Sequence, residues 1–259
     1  MISLDEQFIK TELEIEKMQA AGHVNALALE EIKKLIKPGV STRDLDRTAE
    51  TIIRDHGGIP TFKGYPGPYP YPATLTISIN EEMVHGIPSG RELMEGDIVS
   101  VDCGTTLDGY IGDSAFTQGV GEIGEEGSRL IRVTRESLYK GIEQILPGKH
   151  LGDVSAAIQE HVENFGYHVP RQYTGHGVGR QMHEPPQVPN FGIPGQGLVL
   201  KKGMTIAIEP MVLVGTHKTR VLSDEWTVIS ADHSLTAHYE HSVAVTANGP
   251  LILTKVKEN

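Results

Sequence analysis

One cysteine, one tryptophan and five phenylalanines are all that 259 residues hold of these types. A lone Cys103 cannot close a disulfide within the chain or build a zinc site from several thiolates. Basic charge is also short: 23 Lys and Arg face 34 Asp and Glu, a net of −11, and no basic block interrupts the acidic surplus. A groove for nucleic-acid phosphates needs clustered cations, so none is expected. Long apolar runs are missing too. The stretch 206–214 is broken by Glu209 and falls well short of the roughly 18 residues that a membrane-spanning helix needs. The opening Met1-Ile-Ser-Leu-Asp-Glu-Gln has no apolar run of the secretory kind, so the cytoplasm is the expected address. With 38% hydrophobic and 22% charged residues, the chain has enough apolar material for one ordinary core, or for two fused halves.

What is present is patterned. Over residues 11–37 apolar positions recur at helical spacing among Glu and Lys until Pro38-Gly39, which predicts an amphipathic helix. Ser41, with Asp44 three positions on, caps a second helix that ends near His56 at Gly57-Gly58. A third helix is expected over residues 127–146, closed by Pro147-Gly148, and a fourth over 151–164, closed by Gly166. The two pairs repeat. Ile36-Lys37-Pro38-Gly39 matches Ile145-Leu146-Pro147-Gly148, Asp44 falls on Asp153 and Gly57 on Gly166, while residues 93–102 fall on 200–209. These matches predict a duplication: one domain over residues 1–259, made of related halves at about 11–120 and 121–250. Strands are expected at 74–79, 98–102, 110–120, 205–214, 226–230 and 235–246. Paired helices and neighbouring strands point to an α+β fold, a curved and mostly antiparallel sheet with helices packed on one side.

The chemistry gathers in acids that stand inside expected strands. Asp108-Gly109 is a two-residue hairpin signal, and with that turn Leu107 pairs with Tyr110 and Asp102 with Ala115. Asp113 then lies diagonal to Asp102 on the same face, at about 7–8 Å between Cα atoms. Two carboxylates aimed at one small volume repel unless one is protonated or cations sit between them. A solvated hairpin face with two exposed acids is the plain alternative. Glu209, in Thr-Ile-Ala-Ile-Glu-Pro, and Glu240, in Ala-His-Tyr-Glu-His-Ser, stand in runs that otherwise read as buried, where an unpaired carboxylate is costly. An arginine partner for each would also satisfy them, but two acids from each half favour a shared site. His176 lies in Thr-Gly-His-Gly-Val-Gly, whose glycines permit close approach of a ligand, although no Lys follows to make a phosphate loop. His183 lies in Met-His-Glu-Pro-Pro and His85 in Val-His-Gly-Ile-Pro. Most of the other histidines read as surface or packing residues; of His238 and His241, only His238 shares the parity of Glu240.

Taken together, Val84-His85-Gly86-Ile87-Pro88, the hairpin with Asp102 and Asp113, Gly175-His176-Gly177-Val178-Gly179 with His183-Glu184-Pro185-Pro186, Ile208-Glu209-Pro210 and Glu240-His241 resemble the methionine aminopeptidases of the short bacterial type I. The likeness spans nearly the whole chain. It implies a pseudo-twofold pita-bread fold with a dinuclear metal site, and removal of the initiator methionine from nascent chains whose second residue is small. Carried over by position, Asp102, Asp113, His176, Glu209 and Glu240 would be the metal ligands. Asp102 would bind one ion, His176 and Glu209 the other, and Asp113 and Glu240 both. Four carboxylates would balance two divalent ions, and an oxygen-rich set with one imidazole suits Mn, Fe or Co, with Zn also open. Such ions would polarise the scissile carbonyl and acidify a water. Glu209 would move the proton towards the leaving amine, His183 would hydrogen-bond the carbonyl oxygen and His85 would contact the nitrogen. Trp226 would line the methionine pocket, completed by Phe62, Tyr65, Tyr71 and Met182. The resemblance further implies a monomer with a nascent polypeptide as partner, transient ribosome association, and retention of its own Met1 because Ile2 is large.

One segment departs from the family pattern. Gly64-Tyr65 is followed by Pro-Gly-Pro-Tyr-Pro at 66–70 before Tyr71-Pro72, three residues longer than the family's spacing, and is expected to be a stiff exposed insertion. Proline-specific aminopeptidases and prolidases share the implied fold, so Xaa-Pro specificity is the alternative activity, and a non-catalytic peptide-binding relative stands further off. Only 25 residues lie between His183 and Glu209, which argues for type I.

Overall fold

Thr11 and Glu14 form a reciprocal cap at the start of α1 (Glu12–Leu35). The Glu14 N–H donates to the Thr11 hydroxyl (3.3 Å) and the Thr11 N–H to the Glu14 carboxylate (2.8 Å). Ser41 caps α2 (Thr42–Asp55) through the Asp44 N–H. The structure, a computed structural model, describes Glu6 and residues 9–256; the expectations for Met1, Ile2 and the rest of that opening run lie outside the described residues. The first half continues with β1 (Ile59–Pro60), β2 (Leu75–Ile79), β3 (Glu82–Val84), β4 (Ile98–Leu107) and β5 (Tyr110–Gly119). The second half brings α3 (Glu125–Ile142), α4 (Leu151–Asn164), β6 (Thr174–Gly177), β7 (Glu184–Pro189), β8 (Thr205–Ile208), β9 (Met211–Leu213), β10 (Thr219–Val221), β11 (Val228–Ser230), β12 (Thr236–His238), β13 (Glu240–Thr246) and β14 (Gly249–Ile252). α3 differs from expectation at both ends. Glu125 and Glu126 fill its first turn, where acids complement the dipole, and it closes at Ile142 because the Gln144 and Ile145 N–H groups bond back only three residues.

Nine strands make one antiparallel sheet along the path β1-β4-β5-β13-β8-β6-β7, with β14 on β13 and β2 on β4. Two smaller ribbons, β10-β11-β3 and β12-β9, accompany it. Alternation along the strands sorts the two faces. Val99, Val101, Cys103 and Phe116 pack with Ile32, Leu45 and Ile53 of the first helix pair, while Ile206, Ile208, Val243 and Val245 pack with Leu130, Leu138 and Ile158 of the second. Each such side chain, fully buried, contributes about 1.5–3 kcal/mol. Residues of the other parity turn away from the helices, towards a cavity.

The turn Asp108-Gly109 carries φ of +50° and +78°, and the hairpin holds the expected register, Leu107 against Tyr110 and Asp102 against Ala115. α1 lies so near β5 that a Cβ on Gly112 would come 2.5 Å from the Gly22 backbone. Beside this contact the Asn25 amide donates to Ser114 Oγ (2.7 Å) and accepts from Thr105 Oγ1 (2.9 Å), so both polar atoms of this buried side chain have a partner.

Two strands expected to be continuous are interrupted. Residues 205–214 divide at Glu209-Pro210 and residues 235–246 divide at Tyr239. Register carries through the gap: Ile208 faces His241 on one side, Met211 faces His238 on the other, and the Tyr239 N–H donates to the Pro210 carbonyl (3.2 Å). Pro210 has no N–H to give, so the ladder lapses there and leaves Glu209 opposite Glu240. Several positions aligned by the sequence repeat share backbone detail. Gly39 and Gly148 have φ of +85° and +89°, Gly57 and Gly166 +76° and +80°, Gly96 and Gly203 both +91°. Gly39 N–H donates to the Leu93 carbonyl (2.8 Å) and Leu93 N–H to that of Val40 (2.9 Å); Gly148 pairs with Leu200 (2.9 Å) and Leu200 with Lys149 (2.7 Å) in the same way.

Candidate metal centre

Residues paired across an antiparallel ladder point to the same side of the sheet. Asp102 pairs with Ala115, which pairs in turn with Glu240, and Asp113 lies two positions from Ala115. Ala207 pairs with both Ser242 and His176; Glu209 is two positions from Ala207 and Glu240 two from Ser242. Strands β4, β5, β13 and β6, with the residue just past the end of β8, therefore deliver Asp102, Asp113, Glu240, His176 and Glu209 to one face. Like charges set opposite one another destabilise a sheet unless something compensates.

His176 Nε2 lies 3.6 Å from Asp113 Oδ2 and 3.5 Å from Glu209 Oε1. Its Nδ1 donates to the Gly177 carbonyl (2.9 Å), which leaves the lone pair on Nε2 towards the acids. Asp113, His176 and Glu240 each offer a ligand atom, all within 4.8 Å of one another. Asp102 Oδ1, Asp113 Oδ1 and Glu240 Oε1 are buried without a hydrogen-bond partner, a costly state for an acceptor. Burial first, and repulsion from neighbouring acids second, hold Asp102, Glu209 and Glu240 well above the ordinary carboxylate range, and burial raises Asp113. Burial and the nearby His183 lower His176 to about 4. Lone-pair oxygens without donors, an unprotonated imidazole and mutually repelling acids are what a divalent cation resolves, so the donor set fits a metal.

The four acids and the His176 imidazole share a cavity of about 130 Å³ with His85 and His183. Phe62, Tyr65, Tyr71, Met182 and Trp226 line it as well, so every residue expected at the site is brought together. The His183 ring lies 4.3 Å from that of His176, and its Nδ1 is 2.5 Å from the Tyr65 hydroxyl. His85 sits at φ +62°, a left-handed conformation that costs a non-glycine residue about 1–3 kcal/mol, and burial holds it at about 4. Trp226 meets Tyr71 edge-on at 5.1 Å, and the Tyr71 hydroxyl is held between the Leu75 (3.0 Å) and Gly86 (2.9 Å) carbonyls.

Two neighbours of the site were not among the expected residues. His238 is buried, its unpartnered Nε2 lies 3.7 Å from Glu209 Oε2, and burial lowers it to about 3. Its shared parity with Glu240 was the available signal. Thr76 also lines the cavity because β2 sets it against Asp102; nothing in its local sequence marks it.

Comparison with known proteins gives concordant results. Residues 16–247 match a family described as metallopeptidase family M24. A methionine aminopeptidase of Clostridium acetobutylicum is 54% identical over 247 residues, 95% of this chain and 98% of that protein. A crystal structure of the methionine aminopeptidase from Thermotoga maritima matches with a TM-score of 0.93 at 51% identity, covering 95% of this chain and 98% of that one. The prolidase from Pyrococcus furiosus matches with a TM-score of 0.79 at 25% identity, covering 98% of this chain and 67% of that one.

Proposed function

The chain belongs to metallopeptidase family M24, among its methionine aminopeptidases, and on that premise we propose that Asp102, Asp113, His176, Glu209 and Glu240 hold two divalent cations for its reaction. Its fold is the pita-bread α+β fold, and the proposed ligands lie on the sheet face turned away from the helices. The observation that carries the assignment is the convergence of five donors, four on adjacent strands and Glu209 just past the end of β8, with three buried oxygens lacking a hydrogen-bond partner. The ions would be drawn from Co, Mn, Fe and Zn, two of them balancing four carboxylates. When bound, they supply Lewis acidity, polarising the scissile carbonyl and acidifying a water.

The protein's own groups do the rest. Glu209 stands at the lapse in the ladder, at the cavity and within 3.7 Å of His238, and takes up a proton from the attacking water to release it at the departing amine. In the tautomer in which Nδ1 accepts from the Tyr65 hydroxyl (2.5 Å away), His183 carries its proton on Nε2 and offers it to the oxygen on which charge develops. His85 is kept neutral by burial and hydrogen-bonds the scissile nitrogen. Phe62, Tyr65, Tyr71, Met182 and Trp226 form an apolar pocket suited to a polarizable thioether. The substrates are nascent chains with a small second residue, met in the cytoplasm by a monomer in transient contact with the ribosome. The catalytic unit is one domain made of two related halves; the matched glycine geometry and hydrogen bonds of the two helix pairs support that reading.

The test strips the enzyme of metal, reloads it with each ion in turn and offers Met-Ala-Ser, Met-Pro and Ala-Pro peptides. Cleavage of Met-Ala-Ser with Ala-Pro left intact is expected; cleavage of Ala-Pro alone would favour the Xaa-Pro alternative and overturn the assignment. Glu209→Ala should lose both bound metal and turnover, and a native rate in that variant would refute its role.

A further inference from the structure

We propose that the proline-rich loop at residues 66–70 is a strap that sets the depth of the methionine pocket by bracing Trp226 from outside, an inference that rests on Trp226 being a wall of that pocket. The loop is pinched at its base, where the Gly64 N–H donates to the Tyr71 carbonyl (2.8 Å) and the Tyr71 N–H to the Tyr65 carbonyl (2.9 Å). Residues 66–70 therefore stand off as an exposed lobe. Its inner side lies on the indole: a Cβ on Gly67 would come within 2.4 Å of both Cζ2 and Cη2 of Trp226. Gly67 is not at a positive φ, so what the position demands is space.

Tyr69 completes the brace. Its ring meets the indole edge-on at 6.2 Å and its hydroxyl donates to the Asp224 carbonyl (2.8 Å). The Asp224 carboxylate accepts in turn from the N–H groups of Trp226 (3.0 Å) and Thr227 (2.9 Å). A loop of the first half is thus tied to a turn of the second around this one tryptophan. Trp226 Nε1 is buried without a hydrogen bond, so packing alone fixes how the ring lies. Pro66, Pro68 and Pro70 restrict the strap backbone, which lowers the entropy lost in holding it there. A wall fixed from both sides cannot yield to a longer side chain or close on a shorter one.

The experiment compares wild type, Gly67→Ala and Tyr69→Phe as full-length, metal-loaded enzymes. Kinetics are measured on Met-Ala-Ser and norvaline-Ala-Ser, whose first side chains differ by one heavy atom, and acrylamide quenching reports directly on the single tryptophan. A group of methylene size in a shaped apolar pocket is worth roughly 10- to 200-fold in kcat/KM. Gly67→Ala is expected to narrow the methionine preference by about tenfold, through KM more than kcat, and to raise quenching, with metal affinity unchanged. Tyr69→Phe keeps the ring and loses the tie to Asp224, so it should move both readouts the same way by less. Unaltered quenching, or altered quenching with an unaltered substrate ratio, would overturn the strap while leaving the activity standing. A wild-type enzyme that cleaves neither peptide would instead overturn the underlying function, and the strap's role in specificity with it.

Discussion

Stripping the metal should make stability fall as pH rises above about 7, and reloading should remove that slope. In unfolded chains carboxylates titrate near 4 and histidines near 6.5. In the metal-free fold Asp102, Glu209 and Glu240 keep their protons well above the ordinary range. Their raised values contribute stability that is fully present below the unfolded pKa and is lost as pH climbs towards the folded one, by about 1.4 kcal/mol per pH unit for each retained proton. The buried histidines act with the opposite sign. His85 and His176, at about 4, and His238 and His241, at about 3, add stability as pH rises, but only until the unfolded chain loses its own histidine protons near 6.5. Cys103, whose thiol burial pushes up, joins the acids only above about pH 8.5. Between about pH 6.5 and 8.5 the histidine and cysteine contributions are therefore flat, and a fall of stability there reports on the raised carboxylates, with Asp113 losing its proton at about 7. One retained proton there corresponds to about 3–6 °C of Tm per pH unit, at 2–4 °C per kcal/mol for a chain of this size. Cations ionise the carboxylates outright, so loaded protein should show no such decline, and metal uptake should release protons. Scanning calorimetry of both forms across the window decides the matter. Equal slopes with and without metal would refute a converging, proton-holding cluster.

His85→Ala and His183→Ala are each expected to lower kcat by about 10²- to 10⁴-fold while titration calorimetry still finds the cations bound. Loss of metal in either variant would show that the ligand set is drawn wrongly. Asn25→Ala removes the shared partner of Ser114 and Thr105 and should cost about 2–4 kcal/mol in urea unfolding, since two buried hydroxyls lose their bonds. An unchanged midpoint would mean that water replaces the amide at no loss.

The features legible in the sequence were those fixed locally. Asp108-Gly109 dictated a register, and that register alone set Asp102 and Asp113 on one face. Ser41 and Leu151 marked helix starts because caps and turns depend on neighbours a few residues away. β6 and β7 escaped because glycine in 174–177 and three prolines in 184–189 read as loop; pairing with β8, some 30 residues along the chain, makes a strand of the first, and β6 in turn holds the second. The lapses at Glu209-Pro210 and Tyr239 were likewise hidden, since each shows only once its partner is in place opposite it. His238 had the right parity, yet nothing short of three dimensions told it from the other histidines.

The ladder order β4, β5, β13, β8, β6 has a temporal consequence. Of the five proposed ligands the first half supplies two carboxylates; the remaining three come at positions 176, 209 and 240. During synthesis, no growing polypeptide that stops short of residue 240 would own all five of the proposed ligands. If those five residues are the ligands, as proposed, ion capture would be a late event, and a truncated or half-docked product would lack the centre that hydrolysis needs.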